Sequence, residues 1–181
     1  MPTVLGLTNE SYDKLKDMST QDIGPDNKGR LSTILQRNVA AGRAMDTQLW
    51  RALCDEPATA VAYMAKDCVI TSPLVPPADD DEGGGDKFAN VVAGKENVEK
   101  ALSNMSPLLS YKFHDIKVVQ IDLMAVAAVY RVTVSRRTSG DGKGTNKRDE
   151  IEDLEMVAHS SWRQTAGADW ELCGHCAGFA E

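Results

Sequence analysis

An α+β fold, with an antiparallel sheet packed against helices, is the class this sequence predicts, and three observations predict it. Apolar residues recur at three- and four-residue steps over 31–53. Alternating, β-branched segments crowd the chain after Tyr111. The two kinds of segment are segregated, helices first and a strand meander last. The order reads helix, helix, hairpin, helix, then four strands, with no internal repeat. With 181 residues and 42% hydrophobic content, the chain suffices for one buried core and is short for two. The expected organisation is a flexible arm over residues 1–29 and a single domain over 30–181.

The arm is rich in Asn, Asp, Lys, Gly and Pro, ends in IGPDNKGR, and lacks apolar periodicity. Leu31, Leu35, Val39, Met45, Leu49 and Leu53, with Gly42 in the same stripe, then predict one long amphipathic helix. Gly42 is weak in a helix interior, which implies that another element packs closely there. In CDEPATAVAYMAKD, Pro57 suits a first turn and Ala58, Val61, Ala62 and Met64 give a shorter second helix. The β-branched CVITSPLV is a strand stopped by Pro76 and Pro77. KFANVVAG is its expected partner beyond the loop PADDDEGGGD. In GKENVEKALSNM, Glu96 sits four residues before Lys100, with Val98, Ala101 and Leu102 apolar, so a third helix follows.

Four strands remain: YKFHDIKVVQID, AVAAVYRVTVSRR, LEMVAHSSWRQT and DWELCGHCAGF. Alternation puts Val126, Ala128, Tyr130, Val132 and Val134 on one face of the second. It puts Met156, Ala158, Ser160 and Trp162 on one face of the third, opposite His159, Ser161 and Arg163. The Gly-rich segments 76–86 and 138–150 carry clustered charge without apolar anchors and are expected to be mobile.

Composition narrows the function classes. A net charge of −7, with 27 acidic against 20 basic residues, repels phosphate backbones and anionic headgroups, so neither nucleic acid nor a membrane surface is an expected partner. The longest apolar run, LMAVAAVY, has eight residues, against the ~20 of a spanning helix. No signal peptide is recognisable. A cytoplasmic protein with free Cys54, Cys68, Cys173 and Cys176 is the expectation.

Several motifs suggest chemistry and fail on context. Cys173-Gly174-His175-Cys176 spells a dithiol motif. A redox pair of that kind needs a following helix whose N-terminus stabilises a thiolate, and only Ala177 to Glu181 remain. Alternation along a continuous strand would also send the two thiols to opposite faces. The same strand offers at most Cys173 and His175 on one side, too few for zinc even if His159 joined them, so no metal is expected. DDDEGGGD lacks EF-hand spacing and SGDGKGTNK lacks the phosphate-loop pattern. No nucleophile elbow accompanies His114, His159 or His175. No cofactor is implied.

The order of segments, carried by AMDTQLWRAL, MAKDCVITSP, GKENVEKAL, AAVYRVTVSRR and SSWRQTAGADWEL with the closing strand, resembles the nuclear transport factor 2-like superfamily and its SnoaL-like branch over roughly residues 31–179. That resemblance implies a cystatin-like cone: a curved antiparallel sheet around a long N-terminal helix, an apolar pocket within, and commonly a homodimer through the sheet's outer face. Trp50, Tyr63, Tyr130 and Trp162 are the aromatic residues expected at such a pocket, though aromatics of this kind more often fill an ordinary core. Family enzymes, such as steroid isomerases and polyketide cyclases, place an acid or a histidine facing the cavity. By that resemblance the candidates here are Asp67, His114 and, if it turns inward, His159, while a solvated loop carboxylate is the plain alternative for Asp67. The small run Gly174 to Gly178 departs from the polar or histidine-rich closing strand of relatives, and no catalytic residue is assigned there. The expected function is binding of a small apolar or aromatic ligand by a homodimeric domain. The alternatives are a cyclase, dehydratase or isomerase using an acid–base pair, and a non-catalytic assembly module.

Overall fold

Helix α1 (Pro25–Asp55) opens the described part of the chain, which comprises residues 25–76, 91–138 and 150–180 of a computed structural model. The chain divides into two compact units, Met1–Arg37 and Asn38–Glu181. Of the first, only the opening of α1 is described, and it begins inside the segment expected to be an arm. Everything below lies in the second unit. The two charged loops expected to be mobile, 76–86 and 138–150, fall outside the described residues except at their ends, as does residues 1–24 of the arm.

A 3₁₀ helix (Pro57–Tyr63) stands where a short α-helix was expected, and Met64, assigned to that helix, already begins a strand. Pro57 occupies the first turn, where its missing N–H costs nothing, and the β-branched run of MAKDCVIT then takes the chain into β1 (Met64–Thr71). The partner strand β2 (Val91–Ala93) is followed by α2 (Lys95–Ser103). Gly94 at the N-cap of α2 has φ +84°, a conformation that costs glycine little, and its N–H donates to the Cys68 carbonyl at 2.8 Å. β3 (Ser110–Asp122), β4 (Ala125–Thr138), β5 (Glu150–Gln164) and β6 (Trp170–Phe179) complete the meander.

The six strands form one curved, unclosed sheet in the order β2-β1-β6-β5-β4-β3. Four of its five pairings are antiparallel. β1 and β6 run parallel, because the closing strand, antiparallel to β5 on one side, lies along β1 on its other side. The sheet is therefore mixed rather than wholly antiparallel.

The core lies on the sheet's inner face. Val126, Ala128, Tyr130, Val132 and Val134 of β4 and Met156, Ala158, Ser160 and Trp162 of β5 are all buried, as their alternation predicts. On α1 the buried positions are Asn38, Gly42, Asp46, Leu49, Trp50, Ala52 and Leu53. Of the expected stripe, Gly42, Leu49 and Leu53 are buried and Val39 and Met45 half-buried, while Leu35 is exposed. Gly42 fixes which side of the helix faces the sheet. A Cβ there would stand 2.8 Å from Val126 Cγ2 and 3.0 Å from Val118 Cγ1, so the helix meets the sheet at this glycine.

Candidate functional site

Asp46 is brought into the core by its place in the buried stripe, three residues before Leu49 and four before Trp50. It is wholly buried. Trp162 Nε1 donates to its Oδ1 at 3.3 Å, the Tyr130 hydroxyl lies 3.4 Å from the same oxygen, and Oδ2 has no partner. Burial raises its pKa from the ordinary 3.8 to about 6, opposed by the nearby Ser160 hydroxyl and by the hydrogen bonds of Trp162 and Tyr130.

From Asp46 a line of polar groups runs across three strands. Trp50 Nε1 donates to Tyr130 Oη at 2.8 Å, and Tyr130 Oη and Ser160 Oγ are 3.1 Å apart. Ser160 Oγ and His175 Nδ1 are 3.2 Å apart. Register makes this line. Tyr130 pairs with Ala158, and Ser160 pairs with Ala128 on one side and His175 on the other, so the three side chains step across the inner face. Burial, and then the neighbouring Asp46, push the Tyr130 phenol well above its ordinary value, so it remains a neutral donor and acceptor. Burial, with His159 as a lesser influence, lowers His175 from 6.5 to about 4. The imidazole is therefore neutral at pH 7.

His175 also lines a cavity of about 20 Å³, together with Trp50 and the apolar Leu49, Leu53, Met64, Ile70 and Leu102. That is room for roughly one water molecule. Leu74, Val75 and Met105 line both this cavity and a larger cleft of about 410 Å³, whose far wall carries Arg136 and Arg137. Arg136 is paired with Glu152 at 2.9 Å.

The residues nominated from sequence divide into two groups. Trp50, Tyr130 and Trp162 meet within the buried network, whereas Tyr63 is half-buried against the core and lines none of these cavities. Asp67, His114 and His159 are not brought together. Asp67 is exposed and accepts from Arg163 Nη2 at 2.9 Å, which is the solvated alternative weighed above. His114 bonds Thr133 Oγ1 at 3.0 Å and lines a separate hollow of about 210 Å³ with Asp115, Arg131 and Glu155. His159 faces outward from β5 and is exposed.

Asp46 and His175 were passed over, and only the first had left a signal. A carboxylate within a helix's apolar stripe is such a signal. His175 faces the core because β6 is irregular: Leu172 pairs with Trp162 and Gly174 with Ser161, so Cys173 is an extra residue in the ladder. Past it the alternation changes phase, and Leu172, His175 and Ala177 are buried while Cys176 is exposed. Cys173 and Cys176 are free thiols, one half-buried and one exposed. Among the described residues no group of three or more His, Cys, Asp or Glu side chains could hold a metal ion, and no helix is long and apolar enough to cross a membrane.

No protein-family model and no curated protein matches the chain. Solved structures do. A Streptomyces avermitilis protein assigned to the nuclear transport factor 2-like family as a dehydratase superposes with a TM-score of 0.60 at 12% identity, covering 80% of this chain and 97% of that one. A ketosteroid isomerase-like protein from Erwinia carotovora atroseptica gives 0.54 at 15% identity, over 79% of this chain and 96% of that one. The association domain of C. elegans CaMKII gives 0.56 at 10% identity, over 79% and 96%. With its N-terminal helix and curved mixed sheet, the chain has the nuclear transport factor 2-like fold.

Proposed function

We propose that this is a small-molecule-binding domain, whose uncharged apolar or aromatic ligand occupies the 410 Å³ cleft and sends only a hydroxyl-sized end group past Leu74, Val75 and Met105 into the cavity at His175. The observation that carries the reading is the cavity end of the polar line. A buried, neutral histidine lines an otherwise largely apolar cavity and has one ring nitrogen committed to Ser160 and the other without a partner among the described residues. Ligand sites combine apolar walls with a few placed polar groups in this way. An uncharged ligand fits best, because the cavity would strip water from an ion without supplying a counter-charge. The four free thiols suit a cytoplasmic protein. The test is a panel of small phenols and cyclic ketones titrated into the protein and followed by Trp50 fluorescence and His175 ring NMR signals. Saturable changes at both residues support the reading, and their absence across the panel, with no molecule released from freshly purified protein on denaturation, overturns it.

A catalytic reading of the same cavity, an isomerase or dehydratase, is favoured by one specific observation: Asp46 is an inward, desolvated carboxyl whose raised pKa suits proton transfer near neutral pH. The structural neighbours include an isomerase-like protein and a dehydratase, alongside an association domain. Homodimerisation through the outer face of the sheet completes the proposal, supported by the exposed Val119, Ile121, Val129 and Val157 on β3, β4 and β5.

A further inference from the structure

The line from Asp46 to His175 is built of two hydroxyl groups between two titratable ends. Asp46 Oδ1 and Tyr130 Oη are 3.4 Å apart, Tyr130 Oη and Ser160 Oγ 3.1 Å, and Ser160 Oγ and His175 Nδ1 3.2 Å. Each hydroxyl carries one proton and can point it either way along the line. Two self-consistent arrangements follow. With Asp46 ionised, Tyr130 donates to the carboxylate, Ser160 donates to Tyr130, and His175 Nδ1–H donates to Ser160, which leaves Nε2 a bare acceptor. With Asp46 protonated, the carboxylic acid donates to Tyr130, Tyr130 to Ser160, and Ser160 to His175 Nδ1, so the ring proton must sit on Nε2.

We propose that Asp46, Tyr130, Ser160 and His175 form a single proton path, in which the state of Asp46 sets whether His175 Nε2 meets a group in the cavity as acceptor or as donor. The proposal deepens the binding reading and rests on it only for the identity of the cavity's occupant, which would be an uncharged molecule presenting a hydroxyl, or an acidic C–H beside a carbonyl, to Nε2. Proton movement along the path balances without any added reagent. A proton leaves the ligand for Nε2 as the Nδ1 proton passes to Ser160 Oγ. The Ser160 proton then passes to Tyr130 Oη, and the Tyr130 proton to Asp46 Oδ1. The negative charge moves from Asp46 to the ligand, and His175 changes tautomer without becoming an imidazolium.

The surroundings favour a ring that stays neutral. Burial disfavours a charged His175 ring, while Asp46, raised to about 6, can hold a proton close to neutral pH. The groups facing the path are Tyr130 from β4, Ser160 and Trp162 from β5, and Trp50 from α1, whose ring lies edge-on to His175 with centroids 6.0 Å apart. Among the described residues, His159 on the other face of β5 is the one further titratable group that influences the histidine. Trp50 and Trp162 are donors only, so they hold the path's oxygens without offering protons a way out.

The experiment is a ¹⁵N NMR titration of the three histidine rings in the full chain without ligand, from pH 7.5 to 5, with His175 assigned through His114→Gln and His159→Gln variants. Expected is an exchange of the two signal types in His175: Nδ1 protonated and Nε2 bare at the upper end, reversed at the lower, with no imidazolium signal. In Asp46→Asn the ring should stay in one tautomer throughout. Ser160→Ala should uncouple it, and Tyr130→Phe makes the same cut if the first variant does not fold. A wild-type ring that keeps one tautomer, or protonates to imidazolium over this range, overturns the proposal, as does a tautomer change surviving either cut. Because no ligand takes part, failure here leaves the binding reading standing, and a failed ligand screen leaves the path standing.

Discussion

The two faces of β5 show how differently one strand can treat the same residue types. Inward, Met156, Ala158, Ser160 and Trp162 are buried, and each polar atom among them has a partner in the Asp46 network. Outward, Glu155, Val157, His159 and Arg163 are exposed, and the neighbouring strands add the exposed Val119, Val129, Lys117 and Arg131. His159 and His175 sit on adjacent rungs, opposite Cys176 and Ser160 respectively, yet only His175 is enclosed. Burial accounts for the contrast. Inside, an unpaired polar group is costly, so hydroxyls, indoles and the carboxyl are held in definite relations and perturb one another's protonation. Outside, water satisfies charges individually, and the apolar side chains between them are what remain uncovered.

The strongest way to test this contrast is to truncate one residue on each face of β5. Trp162→Ala removes a fully buried ring and the donor to Asp46, and should cost about 3–5 kcal/mol in guanidinium unfolding. Val157→Ala, five residues away on the other face, should stay within about 0.5 kcal/mol, measured at a protein concentration low enough to hold a single oligomeric state. Equal losses would mean that the outer face is itself packed in the folded molecule.

Protonation sharpens the comparison. The folded-state pKa of Asp46 is raised, from 3.8 to about 6, so its contribution to stability is fully present below 3.8 and lost as pH rises through 6. His175 is depressed, from 6.5 to about 4, so its contribution is present above 6.5 and lost as pH falls through 4. Each is worth roughly 3 kcal/mol, with opposite signs over nearly the same window. Between pH 4 and 6 the two slopes should largely cancel in the wild type. Asp46→Asn should unmask His175, with stability falling by about 3 kcal/mol as pH drops from 6.5 to 4. His175→Gln should reverse the slope. Denaturant midpoints for the three proteins across this range decide it, and parallel curves would show that neither group is as enclosed as its surroundings indicate.

Much of this was legible in the sequence. The alternation of VAAVYRVTV and EMVAHSSW assigned the inner faces correctly, because a strand buried on one side leaves a period of two. Gly42 announced a close approach that Val126 and Val118 make. Less was legible at the site. Asp46 lies on the face that Gly42, Leu49 and Leu53 mark, but a stripe drawn through apolar residue types takes the half-buried Met45 and leaves out the carboxylate beside it. His175 could not be placed at all, since the extra residue at Cys173 inverts the alternation and a bulge leaves no mark in residue types as plain as a turn does. The Asp46–His175 line depends on the registers of β4, β5 and β6 together, which no local pattern encodes.

Association through the outer face sets a smaller, concentration-dependent effect against the inner network. Val129→Glu places a charge amid the exposed apolar set without touching the core. Sedimentation of the wild type at micromolar concentration should show a species at twice 19.6 kDa, and the variant should dissociate with its unfolding midpoint at low concentration unchanged. A wild type that sediments only near 19.6 kDa would break the proposed dimer and leave the outer apolar residues as ordinary surface.

The smallest effect should come from the pair that looks most like a reactive motif. Cys173 stands at the bulge of β6 and Cys176 just past it, one thiol half-buried and the other exposed, and both belong to a strand rather than to a helix N-terminus that would stabilise a thiolate. Burial raises Cys173 above its ordinary pKa, with the nearby Arg163 guanidinium only partly opposing it, so at neutral pH it is a protonated thiol and a poor nucleophile. Replacing both by serine should therefore cost under about 1 kcal/mol, since the exposed position gains a solvated hydroxyl and the half-buried one retains access to water. Thiol titration in glutathione buffers, followed by an insulin-reduction assay, should detect no turnover in either protein. Reversible formation of a Cys173–Cys176 disulfide would require the strand to open at the bulge, and would make the edge of the His175 site redox-responsive rather than inert.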